Sequence, residues 1–167
     1  MAYGNYSDEH IKSVLGEVQT IAMVGASNNP NRPSSFAMKY LRNKGYKVIP
    51  INPGQAGKEI LGELCYGSLE DIPGQFDMVD IFRSAEAAGQ ITDDAIRLKD
   101  NKGINVIWMQ LTVVNEEAAA RAEAAGLTVI MDRCPKIEYG RLNQELGWGG
   151  FNSGVISARR PKARIVS

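Results

Sequence analysis

The chain has 167 residues, with 19 basic and 19 acidic side chains and a formal net charge of zero, so no overall field steers it towards nucleic acid or a membrane surface. That length suits one domain with a full hydrophobic core. The polar opening Met1-Ala2-Tyr3-Gly4-Asn5-Tyr6-Ser7-Asp8 lacks the apolar centre of a signal peptide, no apolar run approaches a membrane span, and the two cysteines, Cys65 and Cys134, show no metal-ligand spacing; the expectation is a soluble cytoplasmic protein with both thiols reduced.

Residues 7–18 read as a first helix. Ser7 is its N-cap, Asp8 and Glu9 lie where the helix dipole favours acids, and Ile11, Val14, Leu15 and Val18 keep helical spacing. Gly16 weakens helix propensity, so an early end is expected. An apolar run at 20–24, a polar turn from Gly25 to Pro33, an amphipathic stretch at 34–44 and a second apolar run at 46–51 then spell strand, loop, helix, strand, a right-handed parallel βαβ unit. Ser34 puts a hydroxyl at the helix start, Phe36, Ala37, Tyr40 and Leu41 form the apolar face, and Gly45 suits the left-handed stop. Residues 53–74 are glycine-rich and predict a long loop, with a short strand near 64–66 and one helical turn at 68–72.

A third strand is expected at 76–82, a fourth at 104–109 and a fifth at 127–131. The helices between them are capped by Ser84 and Asn115 and closed by Gly103 and Gly126. Residues 136–146 hold a last short helix. From Gly147 the chain is glycine-rich and then basic, with Arg159, Arg160, Lys162 and Arg164, the composition of a mobile solvated terminus more than of a polyanion-binding arm. The domain is therefore drawn at residues 1–146 and the tail at 147–167. The repeated strand–loop–helix–glycine grammar predicts an α/β, Rossmann-like doubly wound fold: a five-stranded parallel sheet with helices on both faces. The strand order expected is 3-2-1-4-5, with its switch point between the first and fourth strands, beside the loops at 25–35 and 110–114.

The Gly25 loop leads into a helix N-terminus, where unpaired N–H groups and the dipole stabilise an anion such as a pyrophosphate. Gly25 lets a ligand approach the backbone, Ser27, Ser34 and Ser35 add hydroxyls, and Arg32 adds a charge; the alternative is an ordinary strand-to-helix connection. The dinucleotide fingerprint is poor. Gly25-Ala26-Ser27-Asn28-Asn29-Pro30 has one glycine, and the second strand ends in Ile51-Asn52-Pro53, where a ribose-binding NAD site places an acid. No nucleophile–base pair is found. His10, the single histidine, reads as a surface residue of the first helix, and Asp77 and Asp80 flank the third strand with nothing to pair them for acid–base work. Cys134 follows the fifth strand with Arg133 beside it, a setting that favours a thiolate; the simpler reading is a structural thiol before Pro135.

With Val24-Gly25-Ala26-Ser27, Gly45-Tyr46-Lys47-Val48-Ile49-Pro50-Ile51-Asn52-Pro53, Val79-Asp80-Ile81-Phe82-Arg83, Trp108-Met109-Gln110-Leu111 and Met131-Asp132-Arg133-Cys134 in this order, the chain resembles the small stand-alone coenzyme A (CoA)-binding proteins with a Rossmann-like fold. It is also similar to the nucleotide domain of the succinyl-CoA synthetase α subunit. Two departures stand out: Thr112 occupies the place after the Gln-Leu pair where the family has glycine, and Gln55 stands where the synthetase has lysine, with Lys58 three positions later. The synthetase also needs a domain with a phosphorylated histidine, for which this chain has no spare histidine. The resemblance implies non-catalytic binding of CoA or acyl-CoA. It implies the pyrophosphate at Gly25, Ala26, Ser27, Arg32, Ser34 and Ser35. The 3′-phosphate falls near Asn52, Pro53 and Lys58, the adenosine beside Phe82 and Arg83, and the pantetheine arm along Gln110, Leu111 and Thr112.

Two other functions stay open beside a CoA-binding module: a small NAD(P)-dependent oxidoreductase, and a regulatory or interaction domain that uses the fold without a ligand. A homodimer is open as well.

Overall fold

In the computed structural model, which describes residues 5–143, parallel strands alternate with helices. The tail expected from Gly147, and the boundary at 146, lie outside the described residues. The main sheet holds β1 (Thr20–Val24), β2 (Lys47–Ile51), β5 (Met78–Ile81), β6 (Val106–Met109) and β7 (Thr128–Ile130), all parallel. A separate antiparallel hairpin, β3 (Glu59–Ile60) and β4 (Glu63–Leu64), fills part of the long loop.

Helices cover both faces. On one, α1 (Asp8–Glu17), α2 (Pro33–Asn43) and α5 (Pro135–Leu142) bury Ile11, Leu15, Met38, Leu41 and Tyr139 against Ile21, Met23, Met78 and Trp108. On the other, α3 (Ala85–Lys102) and α4 (Glu116–Ala124) bury Ala88, Ala95, Leu98, Ala118 and Ala122 against Ala22, Val79, Ile81 and Ile107. Alanines on this second face let the helices approach the sheet closely. Caps fall where expected: Ser7 Oγ accepts from His10 N–H, Ser84 Oγ from Ala87 N–H and Asn115 Oδ1 from Ala118 N–H, all at 3.0–3.1 Å. Gly45, Gly103 and Gly126 all take positive φ at helix ends. α1 runs on through Gly16 to Glu17 because Leu15 and Val18 pack in the core on either side of that turn. α2 begins one residue earlier than expected, with Pro33 at its first turn and Arg32 as an N-cap whose side chain makes no capping bond.

The strand order is a correction. The sheet runs β2-β1-β5-β6-β7, so the five predicted strands stand in the order 2-1-3-4-5 and not 3-2-1-4-5. Pro50 gives the physical reason. In a parallel ladder a residue's N–H and C=O face the same neighbour, and Pro50 turns its C=O outward, where Tyr66 N–H donates to it at 3.1 Å. The donor that proline lacks therefore faces the outer side, which confines β2 to the edge. The loop back from β2 closes that edge with one parallel bridge, Ile51 to Tyr66, and the chain then crosses to the far side of β1. The switch point accordingly lies between β1 and β5, next to β6.

Candidate functional site

The loops that leave β1, β2, β5 and β6 at their carboxyl ends enclose a crevice of about 900 Å³. Gly25, Ala26, Ser27, Arg32, Ser34, Asn52, Pro53, Phe82, Arg83, Gln110, Leu111 and Thr112 all line it, and Pro33, Gly54, Ser84 and Val113 complete the wall. Its lining carries two arginines and no carboxylate, so its own charge favours an anion. Ser35 and Lys58, also expected at the site, are not in the wall. The Ser35 hydroxyl donates to the carbonyls of Ser27 (3.0 Å) and Asn29 (2.7 Å), so it shapes the loop. Lys58 is exposed on the turn that follows, its backbone bonded to Gln55 and Cys65.

The Gly25 loop is built differently from the expectation in one respect. Gly25 and Ala26 donate their N–H groups to Ile51 O at 2.9 and 3.3 Å, so neither is a free anion donor. The glycine is required because φ is +90° and a Cβ would stand 2.3 Å from the Phe82 carbonyl oxygen; the space a side chain would need is taken by the chain leaving β5. The loop's own turns use Asn29 N–H on Ser27 Oγ and Asn31 N–H on Asn29 Oδ1. The N–H groups of Ser27, in the loop, and of Ser34, in the first turn of α2, have no partner among the described residues, and both residues line the crevice. With Arg32 they are the anion-binding equipment of this loop.

Asn52 occupies the position of the ribose-binding acid and spends its amide inside the protein. Its Nδ2 donates to Ala26 O (2.8 Å) and its Oδ1 accepts from Gly54 N–H (2.9 Å). Asn28 Nδ2 adds a second clasp to Gln55 Oε1 at 3.1 Å. These bonds tie the loop after β1 to the turn after β2 and set the width of the crevice at that end. Cys65 donates weakly to the Asn52 carbonyl, and burial pushes its thiol up from the ordinary range.

On the opposite wall Thr112 has φ +69° and Asp132 φ +59°, a left-handed conformation that a β-branched residue rarely adopts. Asp132 Oδ1 holds Thr112 N–H at 2.7 Å, so the loops after β6 and β7 brace one another. The glycine that the resemblance leads to expect at position 112 is the residue that this backbone suits best. The Arg133 guanidinium donates to Asp132 O and lies 5.4 Å from the Tyr6 ring centre. Cys134 is buried at the start of α5 and is absent from the crevice wall, an arrangement that fits the structural thiol.

Two buried polar groups were not legible from the sequence. Asp80 lies in register between Met23 and Trp108, fully buried, and neither carboxyl oxygen has a partner. Desolvation pushes this carboxyl well above the usual carboxylate range. Gln110, two residues past Trp108, is 7% exposed and its Oε1 also lacks a partner. Asp77, in contrast, accepts from Gln19 and Thr20 N–H and ties the start of β1. No group of three or more metal-ligating side chains occurs among the described residues, and no helix there is long and apolar enough to cross a membrane.

A family model described as a CoA binding domain matches residues 19–140, the span that carries all four crevice loops. The chain belongs to this CoA-binding domain family. Protein YneT of Bacillus subtilis (strain 168) is 36% identical over 135 residues, which cover 81% of this chain and 96% of YneT. A solved structure of a protein from Pyrococcus horikoshii OT3 superposes with a TM-score of 0.76 at 38% identity, over 83% of this chain and 93% of that one. Acetate–CoA ligase (ADP-forming) I of Archaeoglobus fulgidus is 28% identical over 144 residues, which cover 82% of this chain but 20% of the ligase. The matched region therefore corresponds to nearly the whole of YneT but to a fifth of the ligase, and its parallel α/β fold is shared with the Pyrococcus horikoshii structure.

Proposed function

We propose that the crevice binds CoA, free or acylated, and performs no chemistry of its own. The observation that carries this reading is the convergence, at the switch point between β1 and β5, of the uncapped α2 start with Arg32 and Arg83 in a wall without carboxylates. The pyrophosphate lies over Ser27, Ser34 and Arg32, where two N–H groups and the helix dipole meet it. Arg83, in the wall, takes the 3′-phosphate in place of Lys58, which stands outside it. The adenine rests on the half-buried Phe82, and the arm runs past Gln110, Leu111 and Thr112. Membership of the CoA-binding domain family supports the same ligand. The crevice wall shows neither a carboxylate nor a histidine that could serve as a proton-transfer group.

NAD is the weaker ligand on this reading, because the Asn52 amide is engaged by Ala26 and Gly54 and cannot accept from both ribose hydroxyls as a carboxylate does. Isothermal titration of the full chain with CoA, dephospho-CoA, NAD and NADP tests the proposal. CoA is expected to bind more tightly than dephospho-CoA and both dinucleotides. Equal affinity for CoA and NAD would overturn it.

A further inference from the structure

Gln110 stands out in the crevice wall: it is more than nine-tenths buried, and its Oε1 has no hydrogen-bond partner. An unpaired buried amide oxygen destabilises the protein that carries it. Two residues on, the same loop holds Thr112 in the left-handed region, a second unfavourable feature that persists only where surrounding structure over-determines it. Both lie on the wall of one crevice, in the loop that the α/β topology places at the ligand-binding edge. Local rules broken together in this way mark a functional surface.

We propose that Gln110 receives a secondary amide of the ligand's arm, its Oε1 accepting the ligand N–H and its Nε2 donating to the ligand carbonyl. The inference rests on the CoA reading and deepens it, since the pantetheine arm carries two such amides while the nucleotide half carries none. Oε1 is covered in the ligand-free protein; the side-chain amide turns about its last bond within a broad torsional well, so ligand entry can turn Oε1 towards the crevice. A primary amide is the side chain that can meet a secondary amide with both a donor and an acceptor. Selection by an otherwise unpaired polar group is strong, because a ligand that lacks the matching group leaves that group unpaired. Gln110 is then a specificity residue that separates arm-bearing ligands from bare nucleotides of the same charge.

The competing account is a buried water that bridges Gln110 Oε1 to Asp80, whose carboxyl oxygens also lack partners. The two accounts predict opposite signs. Gln110→Met keeps the volume and removes the polar atoms. If Gln110 waits for a ligand, the ligand-free variant melts about 2 °C or more above the wild type. Its CoA dissociation constant rises about tenfold, while that for adenosine 3′,5′-bisphosphate, which lacks the arm, stays within about twofold. If a water bridge is the whole story, the variant melts lower and both ligands respond alike, and the proposal falls. A second measurement needs no variant: on wild-type protein, CoA analogues with one amide N–H replaced by methylene are compared, and one of the two is expected to bind about tenfold more weakly than CoA. Analogues that both bind like CoA overturn the role of Gln110. Wild-type protein that binds neither CoA nor the bisphosphate overturns the CoA reading itself, and this inference with it.

Discussion

Gly25→Ala tests the geometry on which the crevice depends. Two separable penalties act at this position. Its φ of +90° is left-handed, which costs an L-residue about 1–2 kcal/mol. The new Cβ also meets Phe82 O at 2.3 Å, Phe82 C at 3.0 Å and Arg83 Cδ at 3.1 Å. The first two are backbone atoms of the chain leaving β5, which Phe82 N–H anchors to Val24 O at 2.8 Å, so relief requires β1 and β5 to separate at their carboxyl ends. Overpacking of this kind costs about 1–3 kcal/mol, for a total of about 3 kcal/mol. Gly57→Ala is the internal control: its φ is +86°, and a Cβ there meets nothing within 4 Å, so it carries the left-handed penalty alone, about 1 kcal/mol. Equilibrium urea unfolding at unchanged slope gives both values. In thermal unfolding the gap between the two variants corresponds to about 4–8 °C for a domain of this size. Equal destabilisation by the two substitutions would refute the claim that contact with Phe82 demands the glycine.

Asp80→Asn is expected to flatten the pH dependence of stability. The folded carboxyl has its pKa raised well above the ordinary value by burial, so the folded state holds a proton that the unfolded chain releases. Stability from this group is therefore fully present below the unfolded pKa and is lost as pH rises towards the folded one; urea midpoints of variant and wild type should diverge in the variant's favour from pH 4 to pH 7, and parallel curves would contradict the buried neutral carboxyl. Thr112→Gly removes a left-handed threonine and should raise the unfolding free energy by about 1 kcal/mol in the same assay; a loss would mean that the threonine side chain makes a compensating contact. Arg83→Ala should weaken CoA about tenfold by loss of a charge-assisted contact, whereas Lys58→Ala, outside the crevice wall, should change it by less than about twofold; calorimetric titration that reverses this ranking would return the 3′-phosphate to Lys58.

Much of this protein was legible before any coordinates because the signals are local. Hydrophobic runs, the caps Ser7, Ser84 and Asn115, and the stops Gly45, Gly103 and Gly126 act within one or two turns of the chain, and they set the elements and the parallel class. Parallel connections in turn send every strand-to-helix loop to one edge, which is why Gly25, Asn52, Arg83 and Gln110 meet in one crevice. Pro50 held the clue to the strand order, since a proline inside a strand run argues for an edge; the order 3-2-1-4-5 overlooked it. The hairpin of β3 and β4 left little trace because two-residue strands carry no period.

What only the tertiary structure decided is which polar groups find partners. Gly25 N–H goes to Ile51, the Asn52 amide to Ala26 and Gly54, and Arg133 to Asp132 and Tyr6, while Asp80 and Gln110 Oε1 go without. The bonds from Gly25 to Ile51 and from Asn52 to Ala26, and the stacking of Arg133 on Tyr6, join residues far apart in sequence, so no window along the chain contains them. Residue type sets what a side chain can offer, and packing of the sheet between its helix layers determines whether that offer is taken up inside the protein or left for a ligand.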